Sequence, residues 1–286
     1  MSGADLAAAF ARCEEITRTE AKNFAYGIRL LPAPKRQAMS ALYAFARRVD
    51  DVGDGAGSAA DKLEALAKVR AQIDSVEQGS PRQDDPVLVA LSDSARRYPI
   101  PLEALRELVT GCEMDCRQQR YETFDDLVVY CRCVAGSIGR LSLSVFGSSD
   151  DSVAPGLADT LGVGLQVTNV LRDIVEDRDV MGRVYLPAED LERFGCAPDA
   201  SGPLDALADV VRFESGRAKQ RYAEGLELLG LLDHRSRACV SAMAGIYRRL
   251  LDRIEHDPLA VLDHRVSVPA WEKAWVAARS LAGVGA

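Results

Sequence analysis

The chain has 286 residues, enough to bury a sizeable core, and its composition of 48% hydrophobic and 27% charged residues is that of an ordinary globular protein. A formal net charge of −8 and an isoelectric point of about 5.1 argue against a nucleic-acid partner, because binding to a phosphate backbone requires a basic surface. A small anionic substrate is still compatible with this charge, because bound Mg²⁺ ions reverse the local sign.

The seven cysteines are odd in number and form no C-x-x-C motif, which favours buried, reduced thiols and a cytoplasmic protein. Cys112 and Cys116 have helical spacing, so a zinc site is the alternative, but none of the three histidines lies near them in sequence. The N-terminus lacks a basic signal-peptide region, and no run of 18 apolar residues predicts a membrane span. Peripheral contact with a membrane is left open.

In chain order, every predicted element is a helix. A short helix over 4–17 and a connection over 18–33 precede a long helix from Pro34 to about residue 52. The pairs Ser58–Asp61 and Thr123–Asp126 read as capping boxes. The remaining helices are predicted over 58–78, 86–97, 101–119, 123–147, 154–179, 203–232, 235–255 and 268–282. With no strand alternation and no long linker, the sequence predicts a single all-α domain, residues 1–286, folded as one large helical bundle.

Polar residues recur at every fourth position in the segment 165–177, which is predicted to lie inside a helix. Asn169, Asp173 and Asp177 have this spacing, so their side chains project from one helix face. With a rise of about 1.5 Å per residue, the two aspartates are roughly 6 Å apart along the axis. Mg²⁺ suits such a pair, because it takes a few protein oxygens and completes its shell with water and substrate phosphates.

A solvated acidic face is the alternative interpretation of this segment. Two observations favour the metal: bulky aliphatic residues are interleaved with the polar ones, and like charges four residues apart destabilise a helix that has no cation beside them. The pattern also occurs a second time, because Asp50 and Asp54 share a face with Tyr43 and Arg47 in the segment 41–54. Two such faces, each with an arginine nearby, suit a diphosphate held between metal ions.

Other chemistries leave no signature in the sequence. The segment GVGLQV (162–167) lacks the third glycine and the preceding strand of a dinucleotide site, so no NADPH is expected. There is no Walker A motif and no G-x-S-x-G motif, and the scarcity of histidine disfavours acid–base catalysis by that residue.

These segments resemble the signatures of the squalene/phytoene synthase family. YAFARRVDDVGD (43–54) is similar to the family's Y-A-F-x-R-x-x-D-D-x-x-D, and QVTNVLRDIVED (166–177) is similar to Q-x-T-N-x-L-R-D-x-x-E-D. YCRCVAGSIG (130–139) and GRVYLP (182–187) resemble the family's tyrosine-initiated helix and its strand-like flap. The resemblance covers about residues 15 to 270 and implies the isoprenoid synthase fold, a central apolar cavity and head-to-head condensation of two prenyl diphosphates.

The resemblance also implies roles for individual residues. Mg²⁺, or Mn²⁺ in its place, would be held by Asp50, Asp54, Asn169, Asp173 and Asp177. The catalytic residues would be Tyr43 and the four aspartates of that set. Contacts to substrate would come from Lys22, Asn23, Phe24, Tyr43, Arg47, Tyr130, Val134, Gln166, Arg172, Tyr247 and Arg265.

The helix from Tyr130 is predicted to line the tunnel for a prenyl tail. One continuous face is formed by residues at helical spacing: Tyr130, Val134, Ser137, Ile138 and Leu141. Gly136 and Gly139 fall in the same turns, and since glycine is costly inside a helix they indicate that space is needed, either for a close helix crossing or for a ligand.

The string NFAYGIRLLP (23–32) resembles the bacterial hopanoid branch of the family, which makes presqualene diphosphate. This resemblance predicts that two farnesyl diphosphates condense to presqualene diphosphate with release of diphosphate. The alternatives within the family are a phytoene synthase acting on geranylgeranyl diphosphate and a hydroxysqualene or squalene synthase. If the protein is not an enzyme, the alternative is an inactive helical partner subunit. Contact with downstream enzymes of the same pathway is also left open.

Overall fold

A computed structural model of the protein describes residues 3–21 and 23–284, so the predicted substrate contact Lys22 lies outside the described residues. No strand occurs among those residues, and the prediction of an all-α bundle is confirmed. The helices are α1 Gly3–Glu20, α2 Phe24–Ile28, α3 Ala33–Asp54, α4 Ala59–Glu77, α5 Pro86–Arg97, α6 Leu102–Cys116, α7 Phe124–Cys131, α8 Ser137–Phe146, α9 Ala154–Arg172, α10 Ile174–Asp179, α11 Ala188–Phe194, α12 Leu204–Gly225, α13 His234–His256, α14 Ala260–Asp263 and α15 Ala270–Leu281.

The two predicted capping boxes are present. The Ser58 hydroxyl accepts from the Asp61 backbone N–H at 3.2 Å, and the Asp61 carboxylate accepts from the Ser58 backbone N–H at 3.1 Å. Thr123 and Asp126 make the same reciprocal pair at 3.2 and 2.9 Å. Each box satisfies two N–H groups that the first turn of a helix leaves without partners, which fixes where α4 and α7 begin.

The helix predicted over 154–179 is interrupted at Asp173, whose backbone leaves the helical region at φ −105° and ψ 13°. The i to i+4 hydrogen bonds nevertheless continue across the break. Asp173 N–H donates to the Asn169 carbonyl at 3.0 Å, and Asp177 N–H donates to the Asp173 carbonyl at 2.8 Å. The chain therefore bends at Asp173, and the predicted metal ligands Asn169, Asp173 and Asp177 stay on the same side of the chain.

The helix predicted from Tyr130 contains a π-helical segment, Arg132–Gly136. A π-turn holds more residues than an α-turn, so it shifts the register between Tyr130 and the residues that follow it. The five predicted tunnel residues therefore do not share one regular α-helical face. That they line a tunnel stays a prediction. The glycines serve a close helix crossing: a Cβ atom on Gly136 would lie 2.4 Å from Asp159 Oδ1, and one on Gly139 would lie 2.3 Å from the Ala158 carbonyl oxygen.

The stretch Phe124–Phe146 is the one helical run among the described residues that is long and apolar enough to cross a membrane by length and composition. It carries charged contacts to α9, because Arg132 Nε and Arg140 Nη1 each lie 2.6 Å from a carboxylate oxygen of Asp159. The run also packs against α6 and α9, so we interpret it as a core helix of the bundle.

The buried side chains form one connected cluster from Ala9 to Val276, and the single domain over residues 1–286 stays a prediction. Helix α9 packs against α12 on one side and against α8 and the π segment on the other, while α3 packs against α1, α5 and α6. A pocket of about 310 Å³ opens between α1, α2 and α3, but charged residues such as Arg36 line part of it. The predicted central apolar cavity stays a prediction.

Candidate active site

The first acidic wall is the face of α3 that ends at Asp54. Tyr43 is half-buried on this face, whereas Arg47, Asp50 and Asp54 are reached by solvent. The Arg47 guanidinium is paired with Asp51, Nη2 to Oδ1 at 2.7 Å, and both side chains are exposed. Since an exposed ion pair of this kind contributes little to stability, Arg47 is available to an anionic ligand.

The second acidic wall lies where α9 passes into α10. The Asp173 carboxylate accepts from Arg172 Nε at 2.8 Å and lies 3.2 Å from Arg265 Nε. Arg265 also reaches Glu176, Nη1 to Oε2 at 3.3 Å. Two guanidinium groups therefore converge on one carboxylate of the predicted metal set.

An aromatic chain joins the two walls. The Phe24 ring lies 6.3 Å from the Tyr43 ring of α3 and 6.1 Å from the Tyr247 ring of α13, between ring centroids. Tyr247 in turn interacts electrostatically with Arg172, the neighbour of Asp173. The sequence-predicted residues of α2, α3, α9 and α13 are thus brought together in one place.

Asp115, at the end of α6, lies near both walls and was not among the residues predicted from the sequence. Its carboxylate accepts from the Tyr185 hydroxyl at 2.7 Å and from the Tyr130 hydroxyl at 3.1 Å. It also interacts electrostatically with Asp54 of the first wall and with Asp177 of the second. No sequence signal marks Asp115, because the contacts that place it here, including that of the neighbouring Cys112 with Asp50, join distant segments.

Arg183 connects the walls physically. Its Nη1 lies 2.9 Å from Asp54 Oδ1, and its Nη2 donates to the Gly53 carbonyl at 3.3 Å. Its backbone N–H donates to the Asp177 carbonyl at 2.8 Å. The loop 182–187, predicted as a loop and resembling a strand-like flap, is irregular in the structure and holds the two acidic walls beside each other.

The carboxylates of the two walls carry more negative charge than the nearby arginines neutralise. Asp50 is reached by solvent, but the protein around it desolvates its charge and, with Asp54 beside it, raises its pKa to about 7. Burial and the neighbouring Asp173 raise the pKa of Asp177 to about 7, and burial raises the pKa of Asp115 to about 6. Groups that resist ionisation in this way are stabilised by an added cation.

The residues present fit Mg²⁺. Asn169 Oδ1 is buried without a hydrogen-bond partner, and a metal ion would satisfy it. Carboxylate and amide oxygens are the ligands this ion prefers. Within residues 3–21 and 23–284 no three carboxylate, thiol or imidazole groups are already gathered around one cation position. The ions would be held by Asp50 and Asp54 on one wall and by Asn169, Asp173 and Asp177 on the other.

The raised pKa values predict how stability depends on pH without metal. Asp50 and Asp177 hold their protons more tightly in the folded protein than in the unfolded chain, where aspartate titrates near 3.8. Their contribution to the free energy of unfolding should therefore fall as pH rises from about 4 to about 7. We expect the melting temperature in chelator, relative to that of the double variant Asp50→Asn, Asp177→Asn, to decrease between about pH 5 and about pH 8.

The subtraction of the double variant removes the titration of all other groups. Added Mg²⁺ should raise the melting temperature of the natural protein more at the higher pH, because the metal competes with protons for the same oxygens. A wild-type melting temperature that rises over this range relative to the variant would contradict the assigned direction of the pKa shifts.

The other predicted substrate contacts stay predictions. Gln166 accepts from Asn169 Nδ2 at 3.2 Å and so lies in the second wall. Asn23 precedes α2 without capping it. Val134 packs on α6, because a Cβ atom on Gly111 would lie 2.3 Å from its Cγ1. Tyr130 is buried beneath the walls at Asp115.

The zinc alternative at Cys112 and Cys116 gains no support. Both thiols are free and buried, and burial raises the pKa of each, which disfavours the thiolate that zinc requires.

Similarity to known proteins extends over nearly the whole chain. Residues 17–272 match the family model described as squalene/phytoene synthase. The chain is 46% identical over 275 residues to a phytoene synthase of Mycobacterium tuberculosis, covering 94% of this chain and 89% of the relative. It is 36% identical over 276 residues to a phytoene synthase of Arthrospira platensis, covering 91% and 88%.

Solved structures agree with this result. A dehydrosqualene synthase in complex with a ligand superposes with a TM-score of 0.88 at 30% identity, covering 98% of this chain and 97% of that one. A squalene synthase, HpnC of Alicyclobacillus acidocaldarius, gives 0.80 at 29% identity, covering 89% and 96%. The predicted isoprenoid synthase fold is confirmed. The chain belongs to the squalene/phytoene synthase family, which are prenyltransferases that condense two prenyl diphosphates head to head.

Proposed function

We propose that the protein condenses two molecules of geranylgeranyl diphosphate to phytoene, with release of diphosphate. The observation that carries this proposal is the 46% identity, along nearly the whole chain, to a protein named phytoene synthase. The hopanoid-type string at 23–32 had favoured presqualene diphosphate from farnesyl diphosphate. A short string is weaker support than an alignment over 275 residues, so the alternative weighed in the sequence analysis becomes the main proposal.

The two acidic walls supply the first requirement of the reaction, which is departure of diphosphate from an allylic carbon. When bound, Mg²⁺ would neutralise the negative charge that develops on the leaving group. Arg47, Arg172 and Arg265 would hold diphosphate oxygens through their planar guanidinium groups. Arg172 is already fixed for this task by Asp173 and Tyr247, so little side-chain freedom is lost on binding.

The aromatic chain supplies the second requirement, which is protection of the allylic cation. The rings of Tyr43, Phe24 and Tyr247 can face a carbocation and stabilise it without reacting with it. Burial raises the pKa of Tyr43 to about 12, so its phenol stays protonated near neutral pH. A protonated phenol can donate a hydrogen bond to the leaving diphosphate but is a poor base. The proton lost on cyclopropane closure therefore goes more readily to the released diphosphate.

A competition between substrates tests the proposal. With Mg²⁺ present and NADPH omitted, we expect phytoene from geranylgeranyl diphosphate, with kcat/KM at least about tenfold above that for farnesyl diphosphate. One extra isoprene unit adds several buried carbon groups, each able to contribute to discrimination. Product identity and rates would be read by mass spectrometry of extracted lipids.

Presqualene diphosphate is the second candidate product. It is supported by the string at 23–32 and by the structural likeness to proteins named dehydrosqualene synthase and squalene synthase. If the same assay yields mainly presqualene diphosphate from farnesyl diphosphate, the chain-length assignment is wrong while the family assignment stands.

A further inference from the structure

Helix α15 is apolar on two sides. Its inner side, with Val276, Ala277 and Ser280, is buried, and α15 packs mainly against α13. A second apolar face is exposed to solvent and consists of residues at helical spacing: Trp271, Ala274, Trp275, Ala278 and, just after the last residue of the helix, Ala282. We call these five residues the outer face of α15. The two tryptophans are 70% and 45% exposed, and they are the only tryptophans of the 286-residue chain.

Arginines flank the outer face. The guanidinium carbons of Arg249 and Arg279 lie 5.1 and 4.6 Å from the centroid of the Trp275 ring. Arg253, from the same side of α13, donates to the Ser267 carbonyl at 2.6 Å. Glu272 is the acidic group that pairs with Arg249 and Arg253 there. Basic groups therefore outnumber acidic ones around this face.

The acidic residues of α13 lie on its other side. Asp252 and Glu255 both pair with Lys219 of α12, away from α15. This separation gives a basic, tryptophan-bearing surface to a protein whose net charge is −8. The acidic overall composition does not predict a positively charged patch. Because the patch is basic, we expect its partner to be anionic.

A lipid surface matches this chemistry. Helices that lie in the headgroup region present tryptophan toward the acyl chains and basic residues toward anionic headgroups. Tryptophan suits the boundary because its ring is apolar and its N–H is polar. Self-association through the same face is disfavoured, because it would bring the arginines of two copies together.

The outer face is also close to the acidic walls. Arg265, which pairs with Asp173, is followed six residues later by Trp271. Six residues span at most about 20 Å even when fully extended. A lipid surface at α15 would therefore lie within about the length of a prenyl tail from the rim of the site.

We propose that the outer face of α15 inserts into the headgroup region of an anionic bilayer. The inference that substrate enters and product leaves beside that membrane rests on the proposed function, since both molecules carry long hydrocarbon chains. Binding to the bilayer does not depend on which prenyl diphosphate is used.

Vesicle flotation tests the proposal directly. The full chain should float with vesicles of phosphatidylcholine and phosphatidylglycerol more than with phosphatidylcholine alone, and less as salt increases. Its tryptophan emission should shift to the blue with the anionic vesicles. Because both tryptophans lie on the outer face, the whole signal reports on this surface.

The double variant Trp271→Ser, Trp275→Ser should lose about tenfold or more in the vesicle-bound to free ratio. Leu204→Ser is the matched control, because Leu204 on α12 is 58% exposed, and it should bind as the natural protein does. With detergent-dispersed substrate, both variants should keep normal activity.

Equal flotation of the double variant and the control would overturn the proposal. So would a dimer of the natural protein that the double variant loses, since the outer face would then join two copies. If the natural protein floats as expected but makes no product from either prenyl diphosphate, the proposed function fails and the membrane surface stands.

Discussion

Replacing Asp177 with asparagine is expected to lower kcat by about 10³-fold or more while the protein stays folded. The charge removed belongs to the second acidic wall, where burial and Asp173 already hold the pKa of Asp177 at about 7. An uncompensated carboxylate in that position costs stability, so its loss should leave the melting temperature in chelator unchanged or higher. Its only expected penalty is on metal and diphosphate binding.

Asp179→Asn is the matched control for this variant. Asp179 lies two residues along the same helix but is exposed and pairs with Arg178, Oδ1 to Nε at 2.6 Å. We expect normal kinetics from it. Steady-state rates with saturating Mg²⁺, together with thermal melts, would separate the two. Near-normal turnover by Asp177→Asn would remove this residue from the machinery.

Replacing Asp115 with asparagine is expected to lower activity by about 10- to 100-fold, which is typical of a group that orients residues around a metal site. Asp115 accepts from the Tyr130 and Tyr185 hydroxyls and faces carboxylates of both walls. Burial raises its pKa to about 6, so the charged form is held at a cost to the fold. The neutral variant should therefore be as stable as the natural protein, or more so.

Glu113→Gln provides the contrast on the same helix. Glu113 pairs with Arg70 of α4, Oε1 to Nε at 3.0 Å. Its replacement should affect stability rather than kcat. If Asp115→Asn lowers the melting temperature and leaves kcat normal, Asp115 has a structural role like that expected of Glu113.

Much of the architecture could be read from local chemistry. The capping boxes at Ser58 and Thr123 fix helix starts through contacts three residues apart, which a sequence displays directly. The two acidic walls are likewise local, since four-residue spacing places their side chains on one helix face.

The remaining features depend on contacts between distant segments. The interruption at Asp173 occurs where Arg265, 92 residues away, reaches its carboxylate. The π segment lies at a crossing with α9, where the Gly162 position would clash with Ala135 if it carried a Cβ atom. No periodicity within one helix reports on such a neighbour. Both a helix crossing and a ligand were compatible with the glycines near Tyr130, and only tertiary packing distinguishes the two.

Asp115 and Arg183 were missed for the same reason. Each is a single charged residue without a repeat, and its meaning comes from the partners that the fold brings to it: two tyrosines for Asp115, and Asp54 for Arg183. A sequence motif identifies residues that act together within one segment. It does not identify a single residue that contacts two segments distant in sequence.

We propose that the two acidic walls hold one metal-bound diphosphate between them. Crystals grown with Mn²⁺ and a non-reacting thio analogue of the substrate would locate the metal by anomalous scattering. We expect Mn²⁺ on the oxygens of Asp50 and Asp54 and on those of Asp173 and Asp177, with ions on both walls touching the same diphosphate. Diphosphate bound without metal on either wall, or Mn²⁺ only at other sites, would contradict the account.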